Sequence, residues 1–162
     1  MARDSAWLTA VPRVLAQGAT AVACASLIGM ALVEGWQVFA RYVLNDSPSW
    51  TEPVALLFMS AAMMCGAAVG VRADAHFGFF LALHVMPPRV RRVVQTVARL
   101  VVIAIGAVLA WWGGVLMADG WSVPMAAAPL PQGLVFLPIC VGGALITLFA
   151  IEKLVATPAR AE

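Results

Sequence analysis

Hydrophobic positions along this chain fall in four long blocks rather than in the short alternating or amphipathic runs of a soluble domain. No Asp, Glu, Lys or Arg occurs in residues 14–33, 53–71, 100–118 or 134–151. Each block approaches the roughly 20 residues that carry an α-helix across a hydrocarbon core about 30 Å thick. The blocks are too long for barrel strands and lack period-two alternation. The pattern predicts an all-α integral membrane protein, a single four-helix domain over residues 1–162, with spans at about 14–44, 50–71, 93–118 and 132–154.

The ends of the blocks add detail. After the first, VEGWQVFARYVLND places Glu34, Gln37 and Arg41 at spacings of three and four, along one helical face. The first helix then runs on to about residue 44, roughly 45 Å in all, and must tilt or project beyond the hydrocarbon. Asn45, Asp46 and Pro48 end it. Ser49-Trp50-Thr51-Glu52 has the spacing of a capping box, serine and glutamate each satisfying an amide at the start of the second span. Trp50 then sits at headgroup depth. Two readings of this motif stand side by side: a cap with an anchor, or a contact with a partner.

The largely apolar run from Phe77 to Met86 is too short to cross, which predicts a short interfacial helix at about 76–86 on the cytoplasmic side, ended by Pro87-Pro88. Trp111, Trp112 and Trp121 predict an aromatic belt at the outer boundary. Pro124, Pro129 and Pro131 predict an extended outer connection, while Pro138 and Gly142-Gly143 predict a kink and a close helix contact in the last span.

Composition and charge set the orientation. The chain is 63% hydrophobic and only 11% charged, against about 25% charged in a soluble domain. Four spans gather Arg3, Arg13, Arg72, Arg89, Arg91, Arg92, Arg99, Lys153 and Arg160 on one side and leave Arg41 alone on the other. The positive-inside rule places both termini and the middle connection in the cytoplasm, with Arg89, Arg91 and Arg92 anchored to membrane lipids of the anionic leaflet. The net charge of +2 therefore implies no nucleic-acid partner. The first block is too long and too far from the start for a cleavable signal, so it is expected to remain as a span.

Candidate chemistry is sparse. Cys24, Cys65 and Cys140 fall in separate spans with no Cys-x-x-Cys pair, the pattern of packing residues. His76 and His84 share one connection, so neither a haem pair across facing helices nor a zinc cluster is indicated. With no phosphate loop and no triad, the residues point to a non-enzyme with no metal or cofactor. Glu34 is the sharpest alternative: a carboxylate in the first of four membrane helices resembles the proton-coupling residue of small multidrug exporters. Arg41, two turns along the same face, favours an ion-paired or interfacial role instead. A third reading is a general anchoring subunit of another membrane complex.

Three blocks in order carry a resemblance: WQVFARYVLNDSPSWTEP, GAAVGVRADAHF and MAAAPLPQGLVFLPICVGG. Together they resemble the small membrane subunit of tripartite ATP-independent periplasmic (TRAP) transporters, the DctQ-like proteins, over roughly residues 15–155. Gln37, Val38, Arg41, Tyr42, Ser47, Ser49, Trp50, Thr51 and Glu52 fill the first motif, Arg72 and His76 the second, Pro131 and Pro138 the third. The chain has Pro53 where the family usually has a second glutamate, and Phe80 where it often has an aspartate.

The resemblance implies an inner-membrane subunit that does not transport alone. It implies a large TRAP membrane subunit as one partner and a periplasmic substrate-binding protein as another, in sodium-coupled uptake of a carboxylate. Substrate and coupling ion would both sit on the large subunit. Glu34, Gln37, Arg41, Tyr42, Ser49, Trp50, Glu52, Arg72 and His76 are then the expected partner or interface contacts.

Overall fold

The computed structural model describes residues 4–73, 87–125 and 127–155. Four long helices dominate them: α1 (Asp4–Val43), α2 (Thr51–Arg72), α3 (Pro88–Asp119) and α4 (Leu137–Val155), the last preceded by a 3₁₀ turn at Gln132–Phe136. The stretches Val11–Val43, Thr51–Arg72, Val90–Asp119 and Gln132–Val155 are each long and apolar enough to cross a membrane. The expected interfacial segment 76–86, with His76, lies outside the described residues.

The helix ends differ from expectation in instructive ways. α1 continues back through Pro12, which removes one hydrogen bond without ending the helix. It stops at Val43 because Asn45 turns left-handed (φ 51°), a conformation asparagine tolerates, and the Asp46 N–H reaches back to the Ala40 carbonyl at 3.1 Å. Pro88 opens α3, since proline at a first helical position forfeits no intrahelical bond.

The capping box does not form. Trp50 already has helical backbone angles and is itself the N-cap, with no side-chain cap. That shift by one residue puts Pro53, not Glu52, at the third helical position, so the reciprocal geometry is lost. Ser49 Oγ instead donates to the Ala127 carbonyl at 3.2 Å, and the fully buried Thr51 Oγ1 donates to the Pro48 carbonyl at 2.8 Å.

The outer connection is also folded rather than extended. Pro124 and Pro131 pair as an isolated bridge, Met125 N–H donates to Leu130 at 2.9 Å, and Gln132 N–H to Val123 at 2.9 Å. Gly133 is pressed onto the Met117 carbonyl, where a Cβ would have no room. Pro138 lies buried in the first turn of α4, where a missing amide is tolerated, and the irregular geometry falls in the 3₁₀ turn before it rather than in a mid-helix kink.

The helices stand in a row, α1–α2–α4–α3, with α1 touching α4 only slightly. The expected glycine contact holds this row together. A Cβ on Gly143 would come within 2.6 Å of the Ala110 nitrogen of α3, while one on Gly142 would strike Met64 of α2. Two consecutive residues thus let α4 approach two neighbours, the small-residue packing typical of membrane helices. Gly106 and Gly113 of α3 complete the seam against Thr147 and Cys140. The core gathers Ala16, Met64, Ala68, Val71, Ile146, Phe149 and Ala150 from α1, α2 and α4.

Candidate partner interface

Two contacts fix the register of α1 against α2. Gly29 faces the Phe58 ring, and Ala16 shares a cluster with Ala68 and Val71. Thr51 therefore stands about level with Trp36, and the last two turns of α1 project roughly 10 Å past the start of α2 at 1.5 Å per residue. Glu34 falls within about one turn of the level at which α2 starts.

Most of the expected contact residues meet at this projecting end. Glu34, Arg41, Tyr42, Ser49, Trp50 and Glu52 are all exposed there, and Gln37 is half-buried against the bundle. Trp36 and Phe39 form a tilted ring pair with centroids 5.9 Å apart, adding an aromatic ledge that also includes Tyr42. Arg41 does not pair with Glu34. Seven residues separate them, about 10 Å along the helix, and the guanidinium instead donates to Ser47 Oγ at 3.4 Å. Between the first turns of α2 and the outer connection lies an open cleft of about 340 Å³ lined by Pro53, Leu56, Pro124, Met125, Gln132 and Val135. Trp111, Trp112 and Trp121 are exposed at the same end.

Arg72 is placed elsewhere. It closes α2 at the opposite, basic end, where Nε and Nη2 donate to the two carboxylate oxygens of Glu152 at 3.1 and 3.4 Å. Its guanidinium also lies 5.9 Å from the Phe149 ring centroid. Glu152 was not singled out from the sequence. Its signal was the parallel course of α2 and α4, which brings their charged last turns together. Arg91 and Arg92 are exposed in the first turns of α3 at this same end. Cys65 is buried, Cys140 half-buried against Gly113, and Cys24 exposed.

Residues 30–159 match the family model of the DctQ component of tripartite ATP-independent periplasmic transporters. The chain belongs to this DctQ family. No curated protein matches it. The match takes in the projecting end of α1, all of α2, α3 and α4, and the folded outer connection. This DctQ protein is thus a multi-pass membrane component of a TRAP transporter, a system in which the family works with a large membrane subunit and a binding protein. The family is a transporter component, and its match lends nothing to the multidrug-exporter reading.

Proposed function

We propose that this DctQ protein braces the large TRAP subunit in the inner membrane and helps dock the periplasmic binding protein, without itself binding solute. Both termini are cytoplasmic in this reading, and the projecting α1–α2 end faces the periplasm. The observation that carries the proposal is the open row of helices in a chain matched to the DctQ family. A row leaves long apolar faces of α1 and α3 uncovered, which suits bracing a larger membrane neighbour better than enclosing a solute path.

The docking surface in this reading comprises Glu34, Gln37, Arg41, Tyr42, Ser49, Trp50 and Glu52, with His76 and Arg72 serving the cytoplasmic side. Solute capture, carboxylate recognition and sodium coupling belong to the other two components. Co-purification tests the bracing role: the tagged chain is expected to retain a large polytopic partner through detergent extraction. Glu34→Gln separates this reading from the exporter, because here it should merely perturb assembly, whereas in the exporter it would abolish proton-coupled transport. Proton-coupled export of a cationic solute by the chain alone, abolished by that substitution, would refute the proposal.

A further inference from the structure

We draw no further inference here: the strongest candidate, the exposed face of α1 along which Gly18, Ala21, Ala25 and Gly35 leave room for a neighbouring helix, is an unpartnered apolar face, and nothing in the structure shows what covers it.

Discussion

At the scale of single residues, the fold turns on where atoms have no room and where polar groups have no alternative. Gly143 lies against α3 backbone, so Gly143→Val must push the helices apart. Overpacking of this kind costs about 1–3 kcal/mol, occasionally more, and the thermal midpoint of the purified chain should fall. Gly35→Leu is the control, because a Cβ there meets nothing within 4 Å, and its midpoint should hold. Arg72 and Glu152 form a second fixed point. Arg72→Ala strands a half-buried carboxylate and should cost about 1–3 kcal/mol, between the ranges for exposed and buried charged partners. The double replacement with Glu152→Ala should cost less than the sum of the singles, measured as a double-mutant cycle. The sequence made Arg72 visible but not its partner, because the pair spans 80 positions and depends on which helices become neighbours.

At the scale of elements, the four spans were legible because charge-free runs and hydrocarbon thickness leave few other solutions. Their ends were less so. Ser49 and Glu52 satisfy the spacing of a capping box, yet one residue of extra helical backbone at Trp50 moves the cap and sends the Ser49 hydroxyl to Ala127. The two arrangements make opposite predictions. If a capping box held α2, Ser49→Ala would cost about 1 kcal/mol. In the observed arrangement Ser49→Ala is worth a few tenths, as for an exposed position. Thr51→Val, which strips the bond from a fully buried hydroxyl to Pro48, should cost about 1–2 kcal/mol. Denaturant titration of both variants in one micelle system distinguishes them. The prolines of the outer connection misled for a similar reason: they block regular structure locally, but the amides beside them, Met125 and Gln132, still close a folded loop by donating to the Leu130 and Val123 carbonyls.

At the scale of the whole molecule, the order α1–α2–α4–α3 was not readable from periodicity, since helices apolar on every side do not announce their neighbours. Gly142 and Gly143 marked one close helix contact, and the structure makes it two, to α2 and to α3. The expected contact residues divide between the two ends of this row, six exposed at the projecting end and Arg72 engaged at the other. Trp50→Ala should therefore leave the isolated chain folded while weakening recovery of the assembled transporter, read by co-purification yield. The most direct test of the account is uptake of a panel of carboxylates into proteoliposomes under a sodium gradient, with the large subunit and binding protein present, with and without this chain. The account predicts uptake only when all three components are present and none from this chain alone. Uptake at an undiminished rate without it, or transport by this chain alone, would contradict the assignment of a bracing, non-transporting subunit.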